Sequence, residues 1–294
     1  MRRQSGMAVI MALLLVALAA SAASLVLWQQ GLWWQQVEVD RQRAQMRLLL
    51  DAQLAWAATR LHSRAIVALN QSWARPWQGS EGDYHWQARL HDLQSRLNLN
   101  ALGLPDGRVN QDMLEAYQRL LQSLQLPGTL ADQLVRWQGL RPADGQGGSG
   151  QAVRGLRDWR QLAEVSGYTP AVMQRLGPLV SLLPSSFSRI NLNTAPLPLL
   201  QALLPEVAPA ALARVLQQRR TLPFRDQADF ASRVGAAAVL RPSLFATSSV
   251  LFQLHGVVRH QRAERHVEAI LQVEAGRVRL LRRAEPGALP PLAE

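Results

Sequence analysis

The chain has 294 residues, 48% of them hydrophobic, and its 32 basic and 21 acidic residues give a formal charge of +11. There is no cysteine, which excludes disulfides, thiol nucleophiles and cysteine-based zinc sites. All 32 basic residues are arginine, so there is no lysine for a Walker-type phosphate loop or a Schiff base.

This length leaves room, beside an anchor, for one medium or two small domains. The arginines are scattered, with no run longer than two. The charge therefore reads as a compositional bias toward arginine, and no nucleic-acid partner is expected.

Residues 1–6 form a short basic leader ending at Gly6. An apolar run follows from Met7 to Trp28, interrupted only by Ser21 and Ser24. About 22 residues at ~1.5 Å each cover roughly 33 Å, enough for a hydrocarbon core of ~30 Å. Arg2 and Arg3 precede the run with no acid nearby. The positive-inside rule then puts the N-terminus in the cytoplasm and everything after Trp28 outside it. Three readings are open. Ala20-Ser21-Ala22 offers the cleavage site of a secretory signal peptide. A plain membrane anchor is the second. The third is the type III signal of pilin-like proteins, cut on the cytoplasmic side between Gly6 and Met7. The short leader and the unbroken helix after it favour the third.

Trp28, Trp33 and Trp34 stand where interfacial aromatics are expected. Neither Gly nor Pro occurs from Leu32 to Arg75, and Met46, Leu50, Leu54, Ala57, Leu61, Ala65 and Ala68 recur at three- and four-residue spacing. Residues 29–75 are thus expected to continue the helix amphipathically, with a bend allowed at Gly31. Residues 76–100 hold a first strand region, with Tyr84, Trp86, Ala88 and Leu90 on one face. Residues 101–245 read as a helical block. Its helices are expected over 112–125, over 129–139 (capped by Thr129 and closed by Gly139), over 158–165 and over 170–183. Proline-punctuated helices come next over 196–204, 209–220 and 226–234. Gln146 to Gly150 reads as a flexible loop. Residues 246–285 read as three strands, and 286–294 as a loose tail. The expected fold class is α+β: a long helix packed on a small antiparallel sheet, with an all-α domain inserted between strands.

A short repeat organises the middle of the chain. Ser95-Arg96-Leu97-Asn98-Leu99-Asn100 returns as Ser188-Arg189-Ile190-Asn191-Leu192-Asn193 and holds four of the six asparagines. Such a strand end can bury its leucine while the asparagines bond nearby backbone. Asn193 or Thr194 is then expected to cap a helix, ahead of Ala195-Pro196. The six histidines (His62, His85, His91, His255, His260, His266) form no short metal-ligand pattern, and no catalytic constellation is present.

Together the Gly6/Met7 junction, the long helix, both Asn-Leu-Asn motifs, the Pro-rich helices after Thr194 and the terminal strands resemble the minor pseudopilin K (GspK) family of type II secretion systems. So does the segment from Leu156-Arg157-Asp158 to Val165-Ser166-Gly167-Tyr168-Thr169-Pro170. The resemblance implies a non-enzymatic subunit at the tip of a periplasmic pseudopilus. Its partners would be the minor pseudopilins I and J, other pseudopilus subunits and the prepilin peptidase, and its place the bacterial inner membrane. Most pilin-like subunits have Glu at the fifth mature position; Met11 stands there, as is characteristic of the K subunit. The family often holds calcium through an Asp-Trp-x-Asp-x-Asp stretch and a later Glu-Asp pair. Here the corresponding stretch is Arg136-Trp137-Gln138-Gly139-Leu140-Arg141, and Asp144 alone cannot supply calcium's six to eight oxygens. No calcium or other cofactor is therefore expected, or only a much weakened site. The alternative is a membrane-anchored helix-hairpin-helix DNA-binding protein, centred on residues 191–245. Its hairpin connection, Pro205-Glu206-Val207-Ala208-Pro209, lacks the usual glycines.

Overall fold

The computed structural model describes residues 4–61, 65–142, 153–184, 186, 187, 189–235, 240–284 and 288–291. His62, Asp144, the loop from Gln146 to Gly150 and Ser188 lie outside the described residues. The chain divides into two compact units, Met1–Asp51 and Ala52–Glu294.

The first unit is one helix, the larger part of α1 (Gln4–Arg60), which runs unbroken through Gly31. From Ile10 to Gln30 every residue is exposed and nearly all are apolar. Ser21 Oγ donates to the Ala17 carbonyl at 2.8 Å, so the hydroxyl is satisfied within the helix. Past the Trp33–Trp34 pair the helix turns polar, supported by Gln36–Asp40 and Gln42–Glu38 bonds one turn apart. It is the one described helix long and apolar enough to cross a membrane.

The second unit starts with the last turns of α1. In chain order come β1 (Trp77–Glu81), β2 (Tyr84–Asp92), β3 (Leu97–Asn98), α2 (Gln111–Ser123), α3 (Thr129–Gln138), α4 (Pro170–Leu176), β4 (Val180–Ser181) and β5 (Ile190–Asn191). After these come α5 (Leu197–Leu203), α6 (Pro209–Gln218), α7 (Gln227–Val234), β6 (Phe245–Ala246), β7 (Leu251–His260), β8 (Ala263–Glu274) and β9 (Arg277–Ala284).

An antiparallel five-stranded sheet has the order β1-β2-β7-β8-β9. Everything between Asp92 and Leu251 is therefore an insertion between two neighbouring strands. Trp86, Ala88, Leu254, Gly256, Val267 and Ala269 share the face that meets the end of α1. Trp56 and Trp86 pack edge to face at 5.8 Å. A Cβ on Gly256 would lie 2.0 Å from Gln53 Oε1, so glycine is what lets the helix approach.

The insertion has its own core. Tyr117, Leu134, Leu162, Leu200, Leu212, Phe224 and Phe230 are all fully buried in it. Asn110 caps α2, Thr169 caps α4 and Asp226 caps α7. A 3-10 turn at Trp159–Glu164 opens on a capping box of Asp158 and Gln161. The order long helix, antiparallel sheet and inserted helical domain is the α+β class expected.

Several boundaries differ from expectation. The long helix stops at Arg60 instead of 75, because the chain beyond makes tertiary bonds that a helix would forbid. Val67 N–H donates to the Thr247 carbonyl at 2.9 Å, and Gln71 folds back on Ile66, Ala68 and Trp73. Of the stripe beyond the helix, Leu61 and Ala68 are buried and Ala65 is exposed. α4 ends at Leu176 because Gly177-Pro178 starts a 3-10 turn that leads into β4. Gly139, in the left-handed region at φ 69°, closes α3 as expected; its N-cap is Gly128 with no side-chain bond, so Thr129 is no cap.

The tail is not loose over its described residues. The Ala288 carbonyl accepts from Trp159 N–H at 2.8 Å, and Leu289 packs with Leu93, Leu183, Leu251 and Ile270. β1 falls within the strand region expected over 76–100, as a second strand ahead of the alternating stretch that begins at Tyr84.

Candidate functional site

The two Asn motifs adopt one local design. In each, a residue pair forms a two-residue parallel ladder, Leu97-Asn98 with β4 and Ile190-Asn191 with β6. The first asparagine of each turns its Oδ1 to the N–H two residues on: Asn98 to Asn100 at 3.1 Å and Asn191 to Asn193 at 3.0 Å. The second asparagine imitates a peptide group. Asn100 accepts from Leu156 N–H at 2.7 Å and donates to the Leu156 carbonyl at 2.8 Å. Asn193 does the same with Phe224, at 2.8 and 2.9 Å. Each thus satisfies both groups of a distant backbone residue that no sheet reaches.

The copies differ downstream of the asparagines. A 3-10 turn, Leu99–Leu102, begins directly after Asn98. After the second copy α5 starts only at Leu197, with Pro196 at its N-cap and no side-chain cap. Asn193 and Thr194 are therefore not helix caps: the first is committed to Phe224 and the second to a buried carboxylate. The arginines also part. Arg96 is buried and donates to the Gly177 and Pro291 carbonyls at 3.2 and 3.0 Å, whereas Arg189 is exposed. Arg219, which no sequence pattern singles out, serves the second copy by donating to the carbonyls of Leu192 and Ala195. Burial brings both the Arg96 and the Arg219 guanidinium down to about 10.

Asp92 is the other residue the sequence hides. Its Oδ2 accepts from Thr194 Oγ1 and Ser249 Oγ at 2.6 Å and from Asn191 Nδ2 at 2.9 Å, while Oδ1 accepts from Gln94 N–H at 2.8 Å. Burial raises its carboxyl above the usual range, against the opposing pull of those four bonds. Asp92 ends β2, Ser249 precedes β7, and Asn191 and Thr194 belong to the insertion. One side chain thus fastens the sheet to the helical block.

A groove of about 940 Å³ lies where the sheet meets Trp159 and the tail; Arg89, His255, Glu268 and Pro291 are among its lining residues. Among the described residues its lining has no serine, threonine, tyrosine or lysine. The five described histidines all lie on the sheet strands. Among the described residues no group of three or more histidines and acids is placed to hold a metal ion. In the α5–α6 connection Val207 N–H turns inward to the Leu204 carbonyl at 3.0 Å, and Glu206 is exposed. The Val207 amide is therefore engaged inside the turn, and Pro205 and Pro209 carry none.

Two family models for type II secretion system protein K match consecutive segments, residues 95–185 and 190–248. Together they span just over half of the chain and begin one residue before Arg96 and at Ile190. The chain belongs to the type II secretion system protein K family. A chain from the crystal structure of the GspK-GspI-GspJ complex of the enterotoxigenic Escherichia coli type 2 secretion system has the same fold. It superposes with a TM-score of 0.69 at 21% identity, over 85% of this chain and 98% of that one. A search of curated proteins gave no match.

The stretch from residue 136 to residue 141 carries no carboxylate. The stretch supplies two arginines and one glutamine where a hard ion needs carboxylates. The nearby Asp106 carboxylate is already taken by Arg108 Nε at 2.7 Å. The Arg141 guanidinium lies over the same turn, donating to the Asp106 carbonyl.

Proposed function

We propose that this protein is a minor pseudopilin at the tip of a type II secretion pseudopilus, priming or capping the filament that drives folded exoproteins across the outer membrane. The observation that carries this reading is the union, in one chain, of the protein K helical block and an exposed apolar N-terminal helix. The block, inserted between two strands, gives the subunit a bulky head. The helix gives it an inner-membrane anchor with the N-terminus cytoplasmic and the head periplasmic. The partners are the minor pseudopilins I and J, as in the solved complex that shares its fold, together with the other pseudopilus subunits. The subunit catalyses no reaction.

The Gly6–Met7 bond is the prepilin-peptidase site, and Met7 becomes the methylated amino terminus. Met11, in the fifth mature position, is exposed on the apolar stretch. A glutamate there would need a partner in the bilayer, normally the free N-terminus of the preceding subunit. A subunit with nothing above it has no such need.

Intact-mass and N-terminal peptide mass spectrometry of the membrane-extracted protein tests the reading. The expected chain begins at N-methylated Met7. A chain beginning at Ala23 would make this an ordinary secreted protein, and the tip assignment would fall. Co-purification of I and J with the tagged protein from membranes is expected alongside.

A further inference from the structure

The turn from Gly103 to Asn110 is bonded to the segment after α3 through Arg141, next to Leu140, which packs over Gly103. The Arg141 N–H donates to the Gly107 carbonyl and its carbonyl accepts from Val109 N–H, both at 2.9 Å. Its guanidinium reaches back across the turn, where Nη2 donates to the Asp106 carbonyl. The Asp106 carboxylate, held by Arg108 N–H at 3.0 Å and Nε at 2.7 Å, is drawn below the usual carboxylate range by those bonds and, to a lesser degree, by the Arg141 charge. A positive charge therefore sits against a turn carbonyl, with a carboxylate beside it. Carbonyl and carboxylate oxygens are the ligands a hard divalent cation collects to tie two segments together. Here the charge arrives on a side chain. The backbone of that same residue already joins both segments.

We propose that Arg141 does the bracing that a bound divalent cation would do, so that this corner of the helical block holds its shape without metal. Arg141 is exposed. It brings its own donors in fixed geometry. The proposal is independent of the tip assignment and can fail without it.

The test is hydrogen–deuterium exchange by mass spectrometry on the full chain in detergent micelles, in excess EGTA and in millimolar calcium. The peptides to follow contain the Val109 and Arg141 amides. Wild-type protein should exchange identically in both conditions. Arg141→Ala should exchange roughly tenfold faster at both amides, with no recovery in calcium. Should that variant fail to fold, Arg141→Gln, which keeps a donor and loses the charge, should show the same acceleration. Slower exchange of the wild type in calcium, or a variant that folds and exchanges like wild type, would overturn the proposal.

Discussion

Asn193 does for Phe224 what a neighbouring strand would do, with one primary amide. Removing it strands both backbone groups of a buried residue. Asn193→Ala should therefore cost about 2–4 kcal/mol, while Arg189→Ala, on the exposed member of the same motif, should stay within about 0.5 kcal/mol. Urea unfolding followed by tryptophan fluorescence separates the two. Equal costs would mean that the motif acts through turn propensity alone.

His91 offers a second residue-scale test. Burial, then the charges of Arg96, Arg89 and His255, lowers it from 6.5 to about 4. Between those pH values the unfolded chain binds the proton and the folded chain does not. The stability it supplies is thus complete above pH 6.5 and lost as pH falls toward 4, about 3 kcal/mol in all. Asp92, raised by burial, has the opposite sign: its unfolded form ionises first, so stability falls as pH rises above 3.8. His91→Phe should remove the first slope and leave the second. Because His91 Nε2 is buried without a partner, the variant should cost little at neutral pH.

At the scale of elements, the approach of α1 to the sheet depends on Gly256. Gly256→Val should push Gln53 aside and strain Val267, whose Cγ1 would lie 2.8 Å from the new Cβ. A loss of about 1–3 kcal/mol is expected, visible in thermal unfolding, with the helical block's own protection unchanged. Elements with strong punctuation are legible in the sequence: α4 from Thr169-Pro170, α7 from Asp226, and β8 from its alternation. β1 is not legible as a separate strand, because Trp77-Gln78-Gly79-Ser80-Glu81 contains glycine and no β-branched residue. The two parallel ladders span two residues each, too short for any periodicity. The repeat announces itself through rare asparagines, but its partners do not. Leu156 lies 56 residues from Asn100, and Asp92 lies 99 from Asn191. No local pattern records bonds of that reach. The end of α1 is hidden for the same reason, since Val67 is drawn away by Thr247.

At the scale of the molecule, Asp92 joins three segments through one carboxylate. Asp92→Ala leaves Asn191, Thr194 and Ser249 without their shared acceptor. The helical block should keep its fold while exchange at residues 190–195 and 249 rises, because the block's core extends far beyond the Ile190, Leu192 and Ala195 side chains that border this junction. Uniform loss of protection across the block would show that the two cores fold as one.

The insertion also sets an order of events. β2 and β7 are neighbours in register, His91 opposite Gln253, yet the whole helical block lies between them in the chain. Pairing them early would mean closing a very long loop before any contact repays its entropy. The block, rich in local helical contacts, can collapse first and bring the two strand ends together. The β2–β7 pairing should then be the last of the sheet's contacts to form, at a rate set by the block, whereas the β1–β2 and β7–β8–β9 hairpins are local. A core change such as Leu200→Ala, in the helical block's own core, should on this account slow β2–β7 pairing in stopped-flow refolding.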